Sequence, residues 1–192
     1  MIHTAPKKIG LLFGPLCLIA GCASTDAPNS PSSAAATEIE YQASSPFAKF
    51  FGTWTLADDQ FQQVWDTETL QTIEIPNHIT ECGPINTSKS VLCVVDAGDL
   101  KGHILWAYDE GIEQVRHLSH FGEARLGDGT GVKTKSGDLR LEIRFTDEPT
   151  DTYRLYEYKW IDEDTYEMVS TQMTDAGTPT GNWYGGVFVR VQ

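Results

Sequence analysis

Alternation of apolar and polar side chains dominates the second half of the chain. In the run 138–145, Leu139, Leu141, Ile143 and Phe145 fall on one face, and Asp138, Arg140, Glu142 and Arg144 fall on the other. Strict period two over that length predicts a strand with one buried and one wetted face. Further strands are predicted over residues 91–95, 104–108, 112–121, 152–161, 166–173 and 184–191, with earlier ones over 52–56, 61–65 and 72–79. No stretch after Phe50 carries an apolar period of a helix. Turn formers separate the strands, among them Asp96-Ala-Gly-Asp99, Asp109-Glu-Gly111, Lys135-Ser-Gly137, Asp162-Glu-Asp164 and Asp175-Ala-Gly177. The glycine-rich Gly127-Asp-Gly-Thr-Gly131 lacks the Lys-Ser/Thr of a phosphate loop and precedes a strand, so it reads as another hairpin turn. Short connections between many short strands predict an all-β fold, an antiparallel up-and-down barrel of about nine to eleven strands, with a sandwich as the competing architecture.

The N-terminal region follows a different pattern. Lys7 and Lys8 precede an apolar run over residues 9–20, interrupted by Gly14 and Pro15. A basic start followed by a short apolar core is the layout of a secretory signal, and the run is too short to span a bilayer stably. It ends Leu18-Ile-Ala-Gly-Cys22, which resembles the bacterial lipobox. The resemblance implies cleavage before Cys22, a diacylglyceryl thioether on its sulfur and an acylated amino group, so the expected partner is a membrane reached through lipid on Cys22. An ordinary cleaved signal with an incidental cysteine is the alternative. Ala23 follows, where an aspartate would point to inner-membrane retention; by that analogy the expected location is the cell envelope, on the periplasmic face of the outer membrane. Residues 23–37 are small and polar with two prolines and offer nothing to bury, so a flexible tether is expected. The expected organisation is a signal peptide over 1–21, a lipidated tether over 22–44 and a barrel domain over 45–192.

Composition narrows the partners. The net charge of −13 becomes more negative once Lys7 and Lys8 leave with the signal, which disfavours nucleic acid. With 40% hydrophobic and 10% aromatic residues, the chain is not composed like a disordered one. Of the cysteines, Cys17 leaves with the signal and Cys22 carries lipid, leaving Cys82 and Cys93. An exported compartment favours their oxidation to a bridge across a hairpin. A redox pair or a metal site would be the alternatives, but the spacing matches neither Cys-x-x-Cys nor a zinc ligand set. Asn86-Thr-Ser88 matches a glycosylation sequon, incidental beside a bacterial signal.

Phe51-Gly52-Thr53-Trp54 opens the first predicted strand, and Val187-Phe-Val-Arg190 lies on the last. A Gly-x-Trp on the first strand with an arginine on the last resembles the lipocalin and wider calycin barrels. The resemblance implies that Trp54 plugs one end of a barrel and that Arg190 packs over its indole as a cation–π contact, with Gly52, Trp54 and Arg190 closing the ring. Residues 104–109, 153–160 and 166–168, together with the final strand, also resemble a family of uncharacterised bacterial calycin-like proteins. This resemblance extends over about residues 50–191.

No catalytic residue can be nominated. The chain has no Gly-x-Ser-x-Gly, Ser-x-x-Lys or His-Glu-x-x-His motif, and no calcium loop. His117 and His120 are three apart, which on a strand places them on opposite faces and spoils a zinc site. Heme-binding calycin-like barrels use a proximal histidine, but none of His78, His103, His117 and His120 has a partnering signature. Neither a cofactor nor a metal is therefore expected. Asp147-Glu148 and Asp162-Glu-Asp164 read as solvated turn carboxylates.

More informative is the strand over 153–160, where Arg154, Tyr156, Tyr158 and Trp160 share a face opposite Tyr153, Leu155, Glu157 and Lys159. If the arginine face is inward, it lines a polar-aromatic cavity, to which Arg116 is a possible addition; if not, the aromatics cover the outside or fill a solid core. The candidate ligand residues are thus Arg116, Arg154, Tyr156 and Tyr158. The favoured function is a lipoprotein whose barrel binds a small hydrophobic or amphipathic molecule. The alternatives are an envelope interaction module and, with no motif behind it, an enzyme in which Arg154 or a histidine polarises a substrate.

Overall fold

The computed structural model describes residues 44–66, 68–85 and 87–192; the expected signal peptide, Cys22 and nearly all of the tether lie outside them. The strands are β1 (Gly52–Leu56), β2 (Gln60–Val64), β3 (Gln71–Glu74), β4 (Ile79–Ile85), β5 (Thr87–Ala97), β6 (Leu100–Asp109), β7 (Gln114–Phe121), β8 (Arg125–Lys133), β9 (Leu139–Phe145), β10 (Thr152–Trp160), β11 (Thr165–Thr174) and β12 (Pro179–Arg190). From β4 onward each strand pairs with the next in an antiparallel meander, and β1 joins the two ends by pairing with both β4 and β12. The result is the expected all-β fold, a closed antiparallel barrel of 10 strands. Closure removes the free edges that an open sheet would expose.

β1 and β2 lie end to end along β12. Between them, residues 57–59 make a tight turn in which Asp58 and Asp59 take positive φ of 56° and 55°. The β2–β3 hairpin thereby extends the wall above β1 and β4. The strand expected over 72–79 is two strands: Pro76-Asn77 interrupts it, with Asn77 at φ 60°. The alternation in β9 is reproduced residue by residue, with Leu139, Leu141, Ile143 and Phe145 buried.

Gly127-Asp-Gly-Thr-Gly131 is not a turn but the middle of β8. Its glycines recur every second residue on one face, where the neighbouring strands press in. A Cβ at Gly129 or Gly131 would overlap the backbone carbonyl of Glu142 or Arg140 on β9. Glycine here serves close approach rather than chain reversal.

One end of the barrel is plugged. The 3-10 turn Ala48–Phe50 inserts Phe47 and Phe50 beneath the strands, and Phe50 meets the rings of Trp106, Tyr158, Trp160 and Tyr166. Trp54 packs edge-on against Trp160 and Tyr166, and its indole N–H donates to the Phe50 carbonyl at 2.8 Å. Opposite it in the β1–β12 register is Arg190, whose guanidinium lies 4.2 Å from the indole centroid. Arg190 also donates to the carbonyls of Lys49, Phe51 and Glu163 and to the Asp164 carboxylate, tying the N-terminal turn and the β10–β11 hairpin to the closing strands. Gly52, at φ 120°, leaves room for this arginine, since a Cβ there would sit 2.7 Å from Nη1.

Cys82 and Cys93 face each other across β4 and β5 and form a disulfide, the bridge expected. Closing so short a loop contributes about 2–3 kcal/mol in loop-closure entropy.

Candidate functional site

Above the aromatic plug the inward side chains leave a chamber of about 550 Å³, open to solvent at the end opposite the plug. Its walls are mostly ring faces and aliphatic side chains, including Phe61, Trp65, Trp106, Tyr156, Tyr184 and Phe188, and no aspartate or glutamate among the described residues lines it. The Cys82–Cys93 disulfide forms part of one wall. On one wall of the chamber β7 inverts the usual pattern. It turns His117 and Ser119 inward and leaves Leu118 exposed outside.

These two polar residues form a chain with a definite direction. The Trp106 indole N–H donates to His117 Nδ1 at 2.9 Å, and His117 Nε2 lies 2.9 Å from Ser119 Oγ. An indole N–H can only donate, so Nδ1 holds a lone pair and the proton of a neutral imidazole is on Nε2. Nε2–H therefore donates to the serine. A serine–histidine pair at this distance superficially resembles an activated nucleophile, but here the histidine has no lone pair facing Ser119 and cannot act as its base. Burial pushes His117 down to about 3, and burial also lowers His78, whose ring meets Thr80 Oγ1 at 3.2 Å on another wall.

Both histidines are thus held neutral in the fold and gain protons on unfolding. Their contribution to stability is whole above the ordinary histidine value of 6.5 and declines as pH falls below it, for His117 down to about 3. For His117 the loss is about 1.4 kcal/mol per pH unit, or about 2 kcal/mol by pH 5. Urea denaturation between pH 7 and pH 5, above the carboxylate range, should show this decline. His117→Gln, which can still accept from Trp106, should keep only the part of the decline that His78 contributes.

The tyrosines supply further hydroxyls. Those of Tyr156 and Tyr184 bond to each other. Tyr158 and Tyr166 also line the chamber, and burial raises the pKa of Tyr156, Tyr158 and Tyr166, so all three remain protonated donors.

At the mouth lies a buried ionic cluster. The Glu148 side chain is 5% exposed and accepts from Arg154 Nε at 2.9 Å on both oxygens, from Arg125 Nη2 at 2.7 Å and from Gln172 at 3.0 Å. Arg154 is 0% exposed, its guanidinium 4.5 Å from the Trp65 ring and 5.2 Å from that of Tyr184. Arg125 bonds Asp147 as well and lies over Phe145 at 3.8 Å.

Arg154, Tyr156 and Tyr158 are buried on the inner face of β10, and the two tyrosines line the chamber. Arg116 does not join them: it is exposed, because Val115 and His117 take the inward positions on either side of it in β7. Glu148 also departs from expectation. Instead of a solvated turn carboxylate it is the centre of the mouth cluster, because the inward Arg154 demands a counter-charge. Gly52, Trp54 and Arg190 meet at the plugged end, away from the mouth. His117, Ser119 and Arg125 had no local motif to mark them; the nearest signal was apolar Leu118 flanked by polar residues within an extended run.

Fold and site together define a closed antiparallel β-barrel with a single plugged end and an aromatic-walled internal chamber. No family model matches the chain, and no curated protein matches it in sequence. Among solved structures it is similar to a protein of unknown function of the DUF3598 family from Nostoc punctiforme, at 10% identity and a TM-score of 0.21, covering 76% of this chain and 98% of that one. A likeness of that size carries no argument.

Proposed function

We propose that this protein is a calycin-like envelope lipoprotein whose barrel holds a small hydrophobic or amphipathic molecule. The observation that carries the proposal is the chamber of about 550 Å³, a volume in the ordinary range of ligand pockets, walled by aromatic rings and reached through one mouth. A barrel serving only as a structural module has no need of such a space, which forgoes packing contacts along its lining. His78, His117, Tyr156, Tyr158 and Tyr166 around it are shifted by burial toward their neutral forms, which suits containment better than acid–base chemistry.

Native mass spectrometry of the protein isolated from its own cell envelopes is expected to find a retained small molecule. Val95→Trp, which fills the chamber from the β5 wall, should lose it while remaining folded. A bare protein mass in gently prepared wild-type samples would overturn the carrier function.

Anchoring is tested separately. Replacement of Cys22 by alanine should abolish labelling by a palmitate analogue and move the protein from the membrane to the soluble fraction. A second function, as an envelope interaction module, is favoured by one observation: Leu118 and Leu126 on the adjacent β7 and β8, and Val94 on β5 beyond β6, are each about half exposed on the outer face.

A further inference from the structure

The hydrogen-bond direction along the β6–β7 wall constrains what the chamber can hold. Because His117 Nε2–H donates to Ser119 Oγ, the serine's own proton cannot return to the histidine, and no other acceptor lies within hydrogen-bond reach of it among the described residues. The facing strand offers none, since Gly127 sits opposite with its missing Cβ position 2.5 Å from Ser119 Oγ. The hydroxyls of Tyr158 and Tyr166, which also line the chamber, have no hydrogen-bond partner among the described residues. Hydroxyl donors are therefore in surplus within walls that are mostly apolar.

Charge is balanced where donors are not. Among the described residues Arg125 is the sole cationic side chain on the lining, and both Asp147 and Glu148 already neutralise it. His78 and His117 are kept neutral by burial. An ionised ligand would enter with no free counter-charge, and an unpaired buried ion is strongly disfavoured. An uncharged ligand bearing an acceptor would give a surplus donor a partner when it displaces solvent from the chamber.

We infer that the occupant is an uncharged, mainly apolar molecule carrying a carbonyl-type acceptor that takes its hydrogen bond from Ser119, with His117 and Trp106 as positioning residues. The inference rests on the chamber being a ligand site and narrows the class of ligand.

Three probes of one shape test it: 2-acetylnaphthalene, its hydrocarbon isostere 2-isopropenylnaphthalene, and 2-naphthoate. Binding to the full protein at neutral pH is read by tryptophan fluorescence, since Trp65 and Trp106 line the chamber. The ketone is expected to bind about tenfold more tightly than the hydrocarbon, with the carboxylate weakest. Ser119→Ala should bring the ketone down to the level of the hydrocarbon without changing the hydrocarbon, and should raise the infrared carbonyl frequency of the bound ketone. Ser119→Cys, which keeps the side-chain volume but is only a weak donor, provides a second test should Ser119→Ala fail to fold. Equal affinity for ketone and hydrocarbon, tightest binding of naphthoate, or a ketone indifferent to both substitutions would overturn the inference while leaving the chamber as a ligand site. Failure of all three probes to bind would overturn both.

Discussion

Replacing Trp54 with alanine is expected to destabilise the barrel by about 3–5 kcal/mol, the range for removing a large aromatic from a packed core. At roughly 2–4 °C per kcal/mol for a domain of this size, the melting temperature should fall by about 10 °C. Several contacts fail together. The indole is 0% exposed, it fills the space between Trp160 and Tyr166, and its N–H satisfies the Phe50 carbonyl. It is also the surface on which Arg190 rests. Trp54→Phe should recover part of the loss by refilling the space, though not the hydrogen bond. Arg190→Ala, measured in a double-mutant cycle with Trp54→Ala, should reveal a coupling of about 1–2 kcal/mol from the cation–π contact and the shared plug. A loss below about 1 kcal/mol for Trp54→Ala would mean that closure does not depend on this pair.

Glu148→Leu is expected to be nearly as damaging, at about 3–5 kcal/mol, for a different reason. The carboxylate is the partner of a fully buried Arg154 and shares Arg125 with Asp147. Without it, Arg154 keeps only a long contact to the Asn182 carbonyl and the ring faces of Trp65 and Tyr184. Its Nη2 already has no partner. The penalty is that of an uncompensated buried charge, so removing the charge should relieve it. Glu148→Leu combined with Arg154→Met should regain most of the stability in urea denaturation. If the double variant is no better than the single one, the damage arises from packing at the mouth and the electrostatic account is wrong.

How far the sequence could be read depended on whether a strand faced a filled core or an empty one. β9 lies against packed side chains, and its alternation of Leu, Ile and Phe with charged residues announces both the strand and its inner face. The inner face of β10 was recognisable as one of two options because Arg154, Tyr156 and Tyr158 share a period. β7 faces the chamber, where polar groups are tolerated, so its hydrophobic signal is inverted, and Arg116, expected among the cavity residues, lies on the outer face instead. β8 was hidden by composition. Glycine ordinarily marks a turn, and only the neighbouring backbone explains why three alternate positions must lack a side chain. The mouth cluster joins the β9–β10 connection to β8 and β10, and nothing local in Asp147-Glu148 foretells two arginines. Gly52, Trp54 and Arg190 came from likeness to a known barrel type rather than from periodicity, and the structure sets them side by side at the plugged end.

The seam between β1 and β12 has a kinetic consequence. Every other junction of the ring from β4 to β12 links neighbours in sequence and can zip as a local hairpin, whereas β1 must find its place beside the strand that is synthesised last of these twelve. Until then the growing curl presents two bare rims and an unsheathed aromatic floor, the kind of surface on which nascent chains stick to one another. Shutting the ring is therefore the late, high-contact-order event, and the one most exposed to chaperone supervision.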